Sequence, residues 1–514
     1  LQIAAFRANA SVFNALLKAG LDINGVDRKF DTALHAAIAS RRVDSIQYIL
    51  SLPSINVNAI GGTYHSALQA AAYLNDNVAV MELIKRGTDV NVEGGRYGNA
   101  FEAAFVRGDE KAVAAMIANL RNVNVSCKIH GSLLQGAACT GMKGVVEQLI
   151  DRNASVTFNG GIYGTALQAA TKGPNMENEG LKHEHDGLRP TIEPYLEIAR
   201  GLLGTAGGKI MILLEGGQFG SALNGAIFSG SETMVRIVLE YLRGILASTH
   251  CIDLPRVSDD MDIRERIEAV LGKAMMFSIS ESKDPLYFIK LLVEHGANVN
   301  SKSIGNSFHQ PLDAASWYAK RSVVEYLLVA GASINSNGGR YGNALRAAVA
   351  AGAQDIAILL IDKKANYKSL DHEYGNLLQI AAFQGLEAVV AKLLDVGVDL
   401  TVKDLMKRTV LHVAAWRGTP RTVEMILKKY EESGLRKDVI GHLEAKDAWG
   451  RTPLQEAKES RLRPPPETVQ ANTLWAPGEV IALLESVREM ETQSEKDPQE
   501  LWRTDYRSCG GKRI

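Results

Sequence analysis

Few residues in this chain are arranged for chemistry. The densest set of potential ligands is His183-Glu184-His185-Asp186. Two imidazoles two residues apart suit some zinc sites, but zinc needs further ligands on a rigid frame. The surrounding residues 173–193 are rich in Gly, Pro, Glu and His, which is the composition of a solvated loop. A metal-dependent hydrolase built on His183, His185 and Asp186 is therefore the enzyme alternative, set against an expectation of no catalysis and no metal. His250-Cys251 is a weaker pair. Serine, histidine and aspartate occur throughout, but none in the Gly-x-Ser-x-Gly context of a nucleophile elbow.

A glycine-rich string, Gly-Gly-Arg-Tyr-Gly-Asn-Ala, occurs at residues 94–100 and again at 338–344. A phosphate loop needs Gly-x-x-x-x-Gly-Lys followed by Ser or Thr, and neither copy has the lysine. In the nearest decoy, residues 201–210, Leu203 stands where the first glycine belongs and Ile210 replaces the hydroxyl. No nucleotide and no other cofactor is expected, and the string reads as a recurrent turn.

The balance of 57 Lys+Arg against 58 Asp+Glu leaves a net charge of −1. That offers no basic excess for displacing counterions from nucleic acid. No apolar run approaches the ~18 residues that span a bilayer, so no membrane role is expected. Four cysteines in 514 residues are no disulfide scaffold, which fits a reducing, intracellular and specifically cytoplasmic setting.

The elements that would position any site repeat with a fixed period. Aligned on Leu34, equivalent anchors fall at Leu68, Phe101, Leu134 and Leu167, in steps of 34, 33, 33 and 33. The phase resumes at Leu312, Leu345, Leu378 and Leu411, in steps of 33. Leu223 and Leu454 follow insertions, Leu271 is a weak anchor, and Leu1 begins mid-unit, making about thirteen units. Two residues before most anchors stands a helix N-cap: Thr32, Ser66, Asn99, Ser132, Thr165, Ser221, Asn343, Asn376, Thr409 or Thr452. Ala269 and Gln310 are the exceptions. Small residues follow, then a second helix with an aliphatic stripe such as Val323, Val324, Leu327 and Leu328. Gly-Ala-x-x-Asn closes the unit, its glycine suited to a left-handed helix cap.

Thr32-Ala-Leu-His35-Ala-Ala, Thr409-Val-Leu-His412-Val-Ala-Ala and Gly450-Arg-Thr-Pro-Leu-Gln455, with the 33-residue period, resemble the ankyrin repeat. The resemblance covers nearly the whole chain and implies an all-α ankyrin solenoid of helix–turn–helix units joined by β-hairpin-like loops. The dialect is similar to fungal arrays, which are often joined to NACHT-type NTPase or other effector domains. That resemblance implies an upstream effector domain and a role as the sensing module of an NLR-like signalling protein. It also implies that His35 and His412, and Gln69, Gln135, Gln168, Gln379 and Gln455 at the same place, bond neighbouring backbone.

Three insertions, at residues 173–193, 247–262 and 462–477, divide the array. Regular repeats are expected over 1–171, irregular ones over 172–308, repeats again over 309–489, and a charged tail over 490–514 that lacks the pattern. Stability should fall at the irregular units, since solenoid repeats touch only their neighbours. Leu271→Asp should uncouple the halves.

Four residues before each anchor runs an aromatic column: Phe30, Tyr64, Tyr97, His130, Tyr163, Phe219, Phe308, Tyr341 and Tyr374. Packing between successive hairpins is the expected role, with a ligand-stacking platform as the alternative. In ankyrin arrays partners are held on the concave face, by hairpin tips and the end of the first helix. The matching helix positions include Arg107, Phe228, Trp317, Tyr318, Phe383, Trp416 and Arg417. The matching tips include Lys29, Thr63, Arg96, Gln218, Arg340, Glu373 and Trp449. Aromatic and arginine side chains dominate interface hot spots. The expected function is recognition of a protein partner on this face, and Trp317/Tyr318 and Trp416/Arg417 are the foremost candidates.

Overall fold

A computed structural model describes residues 1–27, 31–61, 64–173, 191–247, 262–302, 308–368, 375–417, 419–432, 439–462 and 476–494. Its contacts separate two compact units, Leu1–Asn298 and Val299–Ile514. Each is a stack of helix pairs, and the architecture is an all-α repeat solenoid.

In the first unit the leading helices are Ala33–Ser40, Ala67–Tyr73, Ala100–Arg107, Leu133–Cys139, Ala166–Thr171 and Ala222–Ser229. Each begins one residue before its anchor and packs on the next in line. Their alanines are buried, so the helix axes can approach closely. The trailing helices Val43–Ser51, Asn77–Lys85, Glu110–Ala118 and Lys143–Asp151 likewise pack each on the next. The second unit repeats the scheme with Pro311–Trp317, Ala344–Ala350, Leu377–Gln384, Val410–Arg417 and Pro453–Leu462. In its trailing helix Arg321–Val329, the stripe Val323, Val324 and Leu327 is fully buried, the usual signature of an amphipathic helix laid on a core.

The N-caps are local devices and act as such. Thr32, Ser66, Asn99, Ser132, Thr165, Ser221, Asn343 and Asn376 each accept the amide three residues on. At Gln310 the direction reverses: the Gln310 amide donates to Asp313 Oδ2 at 3.0 Å. Ala269 caps nothing. Leu271 lies inside one helix, Ile263–Glu281, because a run of Arg, Glu, Ala, Leu and Met offers no stop signal. Leu454 is half-buried, as is Leu1, whereas the anchors between them are buried. After the third insertion the chain resumes as helix Pro477–Ser494.

Two further devices join repeats. Gln69, Gln135 and Gln379 donate Nε2 to hairpin carbonyls of the following unit, to Val92 at 3.1 Å, Gly160 at 2.9 Å and Arg408 at 2.8 Å. His412 Nε2 lies 3.1 Å from the Arg451 carbonyl in the same way. The asparagines of the interhelical loops also link units. Asn24, Asn58, Asn124, Asn300 and Asn335 each accept a backbone amide 31 to 33 residues ahead, at 2.7–2.8 Å.

Candidate interaction surface

The repeated glycine string is a closed hairpin. Gly94 N–H donates to Gly98 O at 2.6 Å, and Gly338 N–H to Gly342 O at 2.7 Å. The versions at Gly160 and Gly216 close likewise, at 2.8 and 3.0 Å. Two of the glycines are required, because Gly95 and Gly98 have φ of 68° and 84°, where a side chain is strained. Successive hairpins are also in contact. A Cβ on Gly161 would meet His130 O at 2.2 Å, and one on Gly217 would meet Tyr163 C at 2.2 Å. The tips are joined through backbone, Ile162 N–H donating to Ile129 O at 3.2 Å and Gln218 N–H to Ile162 O at 2.7 Å. This ladder holds the backbone constant while the tip side chain changes and points to solvent.

The column rings stack from unit to unit. Tyr64 and Tyr97 are 6.4 Å apart at 13°, Tyr163 and Phe219 6.4 Å at 8°, and Phe308 and Tyr341 5.8 Å at 23°. Tyr97, Tyr163 and Phe219 are buried. The residue five after the anchor joins this stack: Tyr73 contacts both Tyr64 and Tyr97, Phe228 contacts Phe219, and Trp317 lies on Tyr341. Side chains on a helix tilt toward its N-terminus, which brings this last-turn ring back over the hairpin. Phe30 and Tyr374 fall outside the described residues.

The candidate contact residues therefore separate. Arg96, Tyr318, Arg340, Phe383 and Trp449 are exposed, Trp449 by 59%. Arg107, Phe228, Trp317 and Trp416 are half-buried. Arg417 is a correction to the surface expectation: it is only 5% exposed, its guanidinium reaches back toward the Gln384 carbonyl at 3.5 Å, and burial lowers its pKa. The tips Lys29, Thr63 and Glu373 lie outside the described residues, as do His183, His185, Asp186, His250 and Cys251.

The geometry gathers some of these side chains. In the first unit Arg96 sits over Tyr97 at 5.6 Å and Arg107 over Tyr73 at 5.4 Å. Arg41, Arg96 and Arg107 all act electrostatically on Tyr64, whose hydroxyl burial nonetheless pushes upward in pKa. The second unit repeats the motif, with Arg340 over Tyr341 at 5.8 Å beside Trp317 and Tyr318. In each unit arginine flanks an aromatic stack, a pairing that favours both cation–π contact and acidic partners. Trp449 instead packs against Arg451, 4.6 Å from its ring.

One buried pair was not anticipated. Glu102 stands where glutamine is the commonest residue, and His130 where most units carry a phenyl or phenol ring. His130 Nδ1 is 2.5 Å from Glu102 Oε2, while Glu102 Oε1 accepts the Ile129 and His130 amides at 2.7 and 3.1 Å. Burial alone would lower the ring's pKa. Hydrogen bonds with Cys139 and Glu102, and the Glu102 charge, outweigh burial and push it up to about 10. The sequence signal was the double departure from the repeat pattern at the two positions.

Among the described residues no group of three or more His, Cys, Asp or Glu is placed to hold a metal ion, and no helix is long and apolar enough to cross a membrane. A family model described as ankyrin repeats (3 copies) matches residues 1–94, 312–404 and 345–439. No curated protein matches the chain.

Proposed function

We propose, from the ankyrin repeats found in both units, that this chain is a recognition module holding a protein partner on the face formed by hairpin tips and the ends of the leading helices. Ankyrin repeats in general mediate protein–protein interactions and are typically non-catalytic. The observation that carries the finer reading is the arrangement of the tips. The hairpins that carry Arg96 and Arg340 are each closed by a backbone bond, Gly94 to Gly98 and Gly338 to Gly342, so the two arginines stand on fixed turns beside aromatic stacks. A preformed surface of this kind loses little conformational entropy on binding. Arginine beside stacked rings suits a partner segment that carries acidic and apolar side chains.

The test is affinity capture from a cell extract with the protein immobilised. Arg96→Glu and Arg340→Glu together should remove the retained partners while the thermal midpoint stays within a degree or two of wild type. A partner set unchanged by the double substitution would overturn this assignment of the surface.

A further inference from the structure

Two hairpins of the second unit, residues 404–408 and 447–451, differ from the glycine strings. Each is closed by a backbone bond, Asp404 N–H to Arg408 O at 3.1 Å and Asp447 N–H to Arg451 O at 3.0 Å. The two are also joined to each other, Ala448 N–H donating to Met406 O at 2.8 Å. Three large apolar side chains stand on this paired frame in solvent: Leu405 is 62% exposed, Met406 41% and Trp449 59%. The Trp449 ring is held in place, with the Arg451 guanidinium 4.6 Å from its centroid. Apolar groups on bonded backbone lose little freedom on contact, and tryptophan is among the side chains enriched at interface hot spots.

The charges on these hairpins are sorted by sign. Asp404 and Asp447 are buried and consumed by the turns. Asp404 accepts the Arg408 amide at 2.8 Å and pairs with Arg408 Nε at 2.7 Å. Asp447 accepts the Trp449 and Arg451 amides, both at 2.8 Å. Lys403, Lys407 and Lys446 are exposed, and none of them is ion-paired with a described residue. Lys407 has φ of 57° at the place where the next hairpin has Gly450, with φ of 76°, so a charge is presented where the turn itself favours glycine.

We propose that these paired tips dock an acidic, amphipathic segment of a protein partner. Its apolar side chains lie on Leu405, Met406 and Trp449, and its carboxylates meet the three lysines. This rests on the reading of the chain as a protein-recognition module and adds a second contact region to it. Three unpaired lysines fall short of the roughly four to eight cations that hold a protein to an anionic bilayer. Three apolar side chains likewise suit a short anchoring segment, whereas a stable dimer interface takes about 20–30 residues a side.

The test pans a phage-displayed library of random dodecapeptides on the immobilised protein and titrates synthetic copies of the enriched peptides by fluorescence anisotropy. The enriched set should combine Leu, Ile, Phe or Trp with Asp or Glu. Leu405→Ser with Trp449→Ser should weaken its binding by about tenfold or more. Lys403→Gln, Lys407→Gly and Lys446→Gln together should weaken it by about tenfold at low salt and flatten its salt dependence. All five side chains are exposed and Lys407→Gly copies the Gly450 turn, so circular dichroism and the thermal midpoint should match wild type. No enriched set, a set without acidic residues, or affinities unchanged in both variants would overturn the proposal. So would binding to vesicles of phosphatidylserine and phosphatidylcholine that Trp449→Ser abolishes, because the tips would then address lipid. Peptides lost on Arg96→Glu with Arg340→Glu, but kept by the tip variants, would overturn this site and leave the wider recognition role standing. Peptides bound at the tips as expected, beside extract partners unchanged in the arginine variant, would support this site and overturn only the other surface.

Discussion

Trp317 lies against Tyr341, 33-residue periodicity having brought the end of one helix onto the hairpin of the next unit, with ring centroids 4.3 Å apart and planes at 24°. Trp317 is thus part of the frame as well as of the face. Trp317→Ala should cost about 1–3 kcal/mol in urea denaturation, less than a fully buried tryptophan because the ring is half-exposed. Its exposed neighbour Tyr318→Ala should change stability by no more than about 0.5 kcal/mol. Equal effects at the two positions would show that the stack carries no stability.

The Glu102–His130 pair makes the first unit sensitive to alkaline pH. Its folded pKa of about 10 lies above the ordinary 6.5, so the folded state holds this proton more tightly than the unfolded chain. The stabilisation is complete below pH 6.5 and is lost as pH rises through about 10. Urea midpoints of wild type and His130→Tyr, compared from pH 6 to pH 10.5, should converge or cross as the wild type loses this contribution. A difference independent of pH would refute the buried ion pair.

Asp313 has the opposite kind of cost. Burial raises its carboxyl from 3.8 to about 7, although the Gln310 and His309 amides bond it and pull the other way. A raised carboxyl pKa means that stability is greatest at low pH and falls as pH climbs from about 4 through 7. Asp313→Asn should remove that slope and leave the second unit more stable at pH 8, by about 2–4 kcal/mol if the amide keeps the Gln310 bond. The comparison must be a difference between variants, because Glu456 is also raised to about 7, mainly by burial.

Glycines should divide by surroundings. Gly161 has φ of 64°, and a Cβ there would meet backbone at 2.2 Å, so Gly161→Ala should cost upward of about 2 kcal/mol. Gly201 lies within helix Glu193–Gly204 and has nothing within 4 Å of an added Cβ. Gly201→Ala should stabilise by about 0.5–1 kcal/mol. Thermal melts of the two variants check both signs.

Helix starts were legible because each is decided within four residues. A threonine, serine or asparagine oxygen meets an amide three positions on, and Thr165 and Gln168 satisfy each other's backbone in the same short span. The failure at Ala269 has the same cause: nothing local ends the helix that runs through it. The glycine hairpins were legible for a related reason, since left-handed backbone at Gly95 and Gly98 selects the residue type directly.

Period, caps and turns follow from short-range sterics and hydrogen bonding, so residue order alone determines that this chain is a stack of helix pairs with a variable tip on each hairpin. Which tips and helix ends remain available to a partner is another matter. Trp317 turns onto Tyr341, Arg417 is buried, Tyr318 and Phe383 stay outside, and Glu102 and His130 meet from separate stretches. Those outcomes depend on contacts made about one repeat length away, where the pitch of the stack and the lean of each side chain set distances that no local pattern records.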